Sequence, residues 1–275
     1  MKVRPRVLPS GWYPDSAGKT QQKIEEFINK YPDPGIKAFA GIVPHAGWDF
    51  SGAIACEVIR CIIPKLDTII VVGGHLSAGK NLFAASEQGY ETPFGILEAD
   101  CEMLEEMKKE ISIKEDNHPD NTVEIQLPFI KYFFPETRVV WMRSAPSPVA
   151  AELGSVIYKT AKKMDRQVGV IGSTDLTHYG FNYGFLPKGS GKEAVDWVKK
   201  VNDKRIIDAF VSMNPDAAIT YARDDRSACS AGGAICAISF AKEKGCKKGK
   251  LLRYMTSWDV YPSDSFVGYA GIVFE

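Results

Sequence analysis

The stretch Ala38–Gly52, AFAGIVPHAGWDFSG, decides how the chain is read. It opens with an apolar run from Ala38 to Val43, the mark of a buried strand. Pro44 ends the run, because proline has no N–H to give a sheet ladder. His45 comes next, then Gly47, and Ser51-Gly52 leads into a helix expected over Ala53–Arg60. His45 therefore rides on a strand-to-helix turn. In open α/β sheets such turns lie at the carboxyl edge of the strands, where ligands bind.

The same pattern recurs further along. Asp67–Gly73 (DTIIVVG) is a second buried strand, rich in β-branched residues, and it ends in Gly73-Gly74-His75. Arg138–Met142 reads as a third strand. Gln167–Gly172 reads as a fourth and runs into STDLTHYG, residues 173–180, with Asp175 and His178 just beyond its end. Helices are expected over Gly18–Tyr31 (capped by Ser16), Glu102–Glu110 (capped by Asp100) and Val123–Phe133 (capped by Thr122, with a kink or break at Pro128). Further helices are expected over Ala150–Met164, Lys192–Phe210, Pro215–Ala222 and Cys229–Lys244. Residues 1–17 read as irregular, 79–98 as a short antiparallel excursion, and 181–191 as a glycine-rich aromatic loop over a site. Lys250–Trp258 and Phe266–Phe274 read as a closing antiparallel pair. This alternation implies one α/β domain over residues 1–275, with a central, mostly parallel sheet flanked by helices.

Composition narrows the function classes. Lysine plus arginine equals aspartate plus glutamate at 34 each, so the chain lacks the basic footprint of a nucleic-acid or anionic-membrane binder. Six cysteines are scattered without a CxxC, which suits reduced thiols and a cytoplasmic setting. The amino terminus is too polar for a signal peptide, and no apolar run approaches the ~20 residues of a membrane helix.

Three of the four histidines, His45, His75 and His178, follow expected strands, and His118 lies in a polar loop. If the strands are parallel, the three converge. Imidazole is the commonest transition-metal ligand near neutral pH, so a metal site is one reading; acid–base work by His178, oriented by Asp175, is another. Blander roles stay open: His75 as a turn residue, Asp175 as a helix cap, His118 as a solvated loop residue. Cys229 stands at the expected start of an Ala/Gly-rich helix, where a thiol pKa is lowered and a thiolate can ligate a metal. Hydrolysis by a serine nucleophile is disfavoured, since no GxSxG occurs.

PHAGWDFSG (44–52), VGGH (72–75), DNTVEIQLPFI (120–130), STDLTHYG (173–180), Cys229 with its helix, and TSWDVYPSDSFVGYAG (256–271) together resemble the Memo family, the AmmeMemoRadiSam system B proteins and their eukaryotic relatives. The resemblance implies a fold similar to class III extradiol dioxygenases and a metal site formed by His45, His75 and Cys229. It implies Asp175 and His178 as the catalytic pair, and Trp48, Asn121, Glu124 and Tyr179 as substrate-binding or supporting residues. Iron(II) is the expected cofactor, with copper or zinc also suited to a thiolate site. The implied function is metal-dependent redox chemistry, such as O₂-dependent oxidation of a small-molecule or peptide-borne substrate. The alternative is a non-enzymatic peptide- or protein-binding module that keeps the old pocket. Partner proteins of the AmmeMemoRadiSam system are implied too, and copper-dependent redox activity and phosphotyrosine-peptide binding belong to the eukaryotic branch. One departure stands out: Asn121 occupies the place of a family histidine, and an amide cannot shuttle a proton.

Overall fold

The computed structural model describes all residues, 1–275. In chain order it begins with β1 (Val3–Arg4), α1 (Ala17–Lys30) and β2 (Ala40–Val43); a π-helical turn, Trp48–Gly52, then leads into α2 (Ala53–Arg60). β3 (Thr68–Gly73), β4 (Leu82–Ala84), β5 (Gly89–Thr92) and β6 (Gly95–Glu98) precede α3 (Cys101–Lys108) and β7 (Lys114–Glu115). Next come α4 (Asn121–Glu124), α5 (Leu127–Phe133), β8 (Arg138–Ser144), α6 (Pro148–Lys163), β9 (Val168–Ser173) and β10 (His178–Tyr179). The chain closes with α7 (Lys192–Trp197), α8 (Asp203–Val211), α9 (Pro215–Asp224), α10 (Ala231–Glu243), β11 (Gly249–Thr256) and β12 (Phe266–Phe274).

The main sheet runs in the order β10-β12-β2-β9-β3-β8-β4-β7, with β11 on β12. Its centre, β2-β9-β3-β8, is parallel, while β12 and β4 flank that centre antiparallel. The central strands are apolar on both faces because both faces are covered. Ile70 and Val72 of β3 pack into one core with Ile157 of α6 and Phe240 of α10. Their neighbours Ile69 and Val71 pack into the other core with Val58 of α2 and Phe129 of α5. Burying each such side chain fully stabilises the fold by about 1.5–3 kcal/mol.

Several local expectations are corrected. The amino terminus is not wholly irregular: Val3 and Arg4 pair in parallel with Gly89 and Tyr90 in a small sheet, β1-β5-β6. The stretch 79–98 is split, since β4 joins the main sheet whereas β5 and β6 form a hairpin in the small one. Ser16 stands at the N-cap of α1 but makes no side-chain cap bond. Asp100 does cap α3, accepting from the Met103 N–H at 3.1 Å. The cap of α4 is Asp120, which accepts from Thr122 N–H at 2.9 Å; Thr122 itself is drawn off to accept from Gly74 N–H at 2.8 Å. The helix then breaks between Glu124 and Leu127, ahead of Pro128, whose ring would clash with a continuing turn. The helix expected over Lys192–Phe210 passes through a π-helical stretch, Val198–Asn202. No helix is long and apolar enough to cross a membrane.

Candidate functional site

Strand order brings the site together. β9 lies between β2 and β3, with Val43 level with Ser173 and Val72 level with Gly172. The turns after β2 and β3 are thus two strand spacings apart, roughly 9–10 Å. Side chains leaning inward from them meet above the end of β9. Nε/Nδ of His45 and His75 and Sγ of Cys229 lie within 4.8 Å of one another. Cys229 Sγ is 3.2 Å from His45 Nε2, and the two imidazole rings stand edge to face with centroids 5.1 Å apart.

Each donor is held by identifiable backbone chemistry. Pro44 leaves its carbonyl free, and Gln126 Nε2 donates to it at 2.8 Å. The His45 N–H donates to Asp175 Oδ1 at 2.7 Å. His45 Nδ1 lies 3.2 Å from Ser173 Oγ, which leaves Nε2 facing the sulfur. His75 follows a turn that only glycines permit. A Cβ on Gly73 would fall 2.1 Å from Thr122 Oγ1, and Gly74 has φ +104° with a Cβ position 2.6 Å from Arg143 Cβ. The Gly74 carbonyl accepts from Ser230 Oγ at 3.1 Å, so the turn is clamped from both sides.

Cys229 is not in a helix, contrary to expectation: α10 starts at Ala231, and Cys229 lies in the turn before it. The glycines of α10 allow the close approach. A Cβ on Gly233 would lie 2.1 Å from Val72 O, and one on Gly232 2.1 Å from Ser144 O. α10 therefore sits with its backbone on the carboxyl ends of β3 and β8. The Cys229 N–H donates to Asp175 O at 3.2 Å. Its thiol is not acidified as a helix terminus would make it. Burial, and next the Asp175 carboxylate, raise its pKa well above the ordinary value. Burial chiefly, helped by His75 and His178, lowers the His45 pKa well below the usual range, so its ring is neutral at pH 7. Burial lifts Asp175 to about 6, against the pull of His178 and of the His45 N–H.

His178 arrives differently. It lies in β10, paired with Val267 of β12, and its Nδ1 is 3.2 Å from Leu176 O. A carbonyl only accepts, so Nδ1 carries the proton. The expected Asp175–His178 hydrogen bond is replaced by this one, because both Asp175 oxygens are turned to His45: Oδ2 is 3.8 Å from its Nε2.

A cavity of about 490 Å³ opens over the cluster, lined by His45, His75, Asp175, His178 and Asn121 among others. Asn121 Nδ2 also donates to His45 O at 3.4 Å. Of the residues expected to bind substrate or support the site, three do not line this cavity. Trp48 is buried, stacks on Phe129 at 4.0 Å and donates from Nε1 to Ile125 O. Glu124 is buried and accepts from the N–H groups of Val7 and Leu8 and from Tyr13 Oη, so it anchors the amino-terminal segment. Tyr179 is fully buried against Phe266, with its hydroxyl donating to Gly189 O. His118 is exposed and only its backbone bonds inward. The cavity walls instead include Trp12, Phe50, Tyr183 and Tyr261, with Ser257, Ser263 and Ser265 between them. No periodicity marks these residues; they lie in loops and single helical turns that only the fold gathers.

The family model described as Memo-like protein matches residues 4–273. A MEMO1 family protein of Thermococcus onnurineus is 30% identical over 99% of both chains, one of Pyrococcus abyssi is 31% identical over 98% of this chain and 99% of its own, and one of Archaeoglobus fulgidus is 30% identical over 98% of both. With a family match along almost its whole length, the chain belongs to the Memo family.

Proposed function

We propose that this chain is a metal-dependent redox protein in which His45, His75 and Cys229 hold iron(II), with copper or zinc as metals the same donors suit. The observation that carries the reading is the convergence of two imidazole nitrogens and a sulfur within 4.8 Å. Donors in a tetrahedral site at bond lengths of 2.0–2.3 Å stand about 3.3–3.7 Å apart. The 3.2 Å between Cys229 Sγ and His45 Nε2 already approaches that edge, and exposed His75 is free to adjust. Two imidazoles and a thiolate suit transition metals rather than magnesium or calcium.

Bound there, iron would supply the redox chemistry for oxidising a small-molecule or peptide-borne substrate with O₂. The chain's own residues do the rest. Ser173 fixes the His45 ring, and Asp175 fixes the backbone that bears it. His178, protonated at Nδ1, offers Nε2 to accept or return a proton on the cavity side; groups of this kind typically contribute ~10²–10⁴-fold. Asn121 binds and orients but cannot move a proton. Action within the AmmeMemoRadiSam system and in the cytoplasm belongs to the same proposal and rests on family membership.

Elemental analysis of anaerobically purified protein tests the reading. Near-stoichiometric transition metal is expected, lost in Cys229→Ala, His45→Ala and His75→Ala and kept in His178→Ala and Asn121→His. Metal retained in all three ligand variants would overturn it. A second reading, a non-enzymatic binding module, is favoured by Phe50 and Tyr261 standing 41% and 73% exposed at the cavity mouth. It expects a captured ligand to stay bound when all three ligands are replaced.

A further inference from the structure

The cluster is approached through two cavities. The first, of about 490 Å³, has Trp12, Phe50 and Tyr261 in its walls; the second, of about 380 Å³, has Arg226, Ala228 and Cys229. Only His75, His178 and Tyr183 line both. Tyr183 meets His178 edge to face, with centroids 4.9 Å apart. These two rings form a partition between the cavities.

Tyr183 is mounted on a closed knuckle of backbone. The Gly180 N–H donates to Phe185 O at 2.7 Å, and the Phe185 N–H returns a bond to Gly180 O at 3.3 Å. Gly180, at φ +109°, is wedged so closely that a Cβ would lie 2.3 Å from Asp264 O. The knuckle is pinned on one side by the Asn182 N–H donating to Ser265 Oγ at 3.2 Å. On the other side Arg226 forks onto it: Nη1 donates to Gly184 O and Nη2 to Tyr183 O, each at 3.1 Å, with the guanidinium 5.0 Å from the Phe185 ring centroid. Arg226 itself has φ 50°, a left-handed conformation that costs an arginine energy and persists only when neighbours hold it. One neighbour is Asn202, whose Nδ2 donates to Asp225 O at 3.0 Å. Arg226 is also three residues before Cys229. One guanidinium thus ties the segment bearing Cys229 to the wall bearing Tyr183.

We propose that Arg226 is a positioning residue that latches Tyr183 against His178, keeping the two cavities apart and limiting the size of what reaches Cys229. The latch concerns the same cluster as the metal reading but needs no metal, so the two fail separately.

The test uses metal-free protein carrying Cys101→Ser, which removes the exposed thiol. Rates of Cys229 modification are compared for a small reagent, methyl methanethiosulfonate, and a bulky one, fluorescein maleimide. The ratio cancels any change in thiolate fraction. Arg226→Ala and Tyr183→Ala are each expected to raise the bulky-to-small ratio about tenfold, what losing one charge-assisted hydrogen bond permits. Because the latch acts through the Tyr183 ring, Arg226→Ala should add nothing in a Tyr183→Ala background. A ratio unchanged in Arg226→Ala, or effects that add in full, would overturn the proposal. Should Arg226→Ala fail to fold, Arg226→Lys replaces it, since an ammonium cannot fork onto both carbonyls while stacking on Phe185. A parental ratio in that variant overturns the latch equally.

Discussion

The backbone N–H of His45 donates to Asp175 Oδ1 at 2.7 Å, which makes Asp175 the support of His45 and not of His178. The carboxylate holds the turn after β2 in register with the end of β9. Asp175→Ala should therefore cost metal retention, weakening affinity by about 10–100-fold as loss of ligand-supporting groups typically does. Titration with a competing chelator reads this directly. An unchanged affinity with lost turnover would return Asp175 to the role of orienting His178.

Cys229 should be a thiol in metal-free protein, because burial and Asp175 raise its pKa. A metal must displace that proton. Zinc affinity is expected to rise about tenfold per pH unit through neutrality, with proton release on binding. Calorimetry in buffers of different ionisation enthalpy would show the released proton. The same chemistry makes Cys229 slower to alkylate than exposed Cys101 in the metal-free state, which peptide mass mapping would check.

Gly233→Ala tests how closely α10 must approach. The added methyl would sit 2.1 Å from Val72 O, so backbone has to move. A loss of about 1–3 kcal/mol is expected from overpacking, together with weaker metal binding as Cys229 shifts. Urea unfolding and metal titration of the one variant separate the two effects. A stability equal to the parent would mean α10 rides higher than described.

Asp203 predicts a pH dependence. It is buried, accepts from Thr177 N–H and from Tyr254 Oη, and burial raises its pKa to about 7. The unfolded carboxyl titrates near ~4, so between there and about 7 the folded state holds the extra proton. Stability from this group is complete below about pH 4 and is lost as pH rises towards 7, by at most ~1.4 kcal/mol per unit. Asp203→Asn, which keeps the shape of the protonated acid, should flatten that slope in denaturant melts of metal-free protein. A slope that persists unchanged would assign the effect elsewhere.

Much of this protein is legible in one dimension. Runs such as Thr68–Gly73 and Val168–Ser173 read as strands covered on both faces, and glycine or proline at the ends of runs such as Ala38–Val43 and Asp67–Gly73 marks where the chain turns. Those strand ends pointed to His45, His75 and His178, and the family resemblance added Cys229. Local propensity misled where a side chain had a distant partner. Thr122 looks like a cap but is claimed by Gly74, and Cys229 looks like a helix start but lies in the turn before α10.

The sequence by itself determined most of the strands and helices and the balance of charge, and its motifs, through a family resemblance, pointed to His45, His75 and Cys229. Tertiary structure decided that β9 is inserted between β2 and β3, which sets the two histidines at a spacing their side chains can close. It also decided that Asp175 serves His45, that burial keeps the Cys229 proton on, and that Arg226 and Tyr183 wall the site. The physical reason is common to all of these. Strand order, burial and long-range hydrogen bonds depend on which surfaces pack together, and residue spacing along the chain carries no record of that choice.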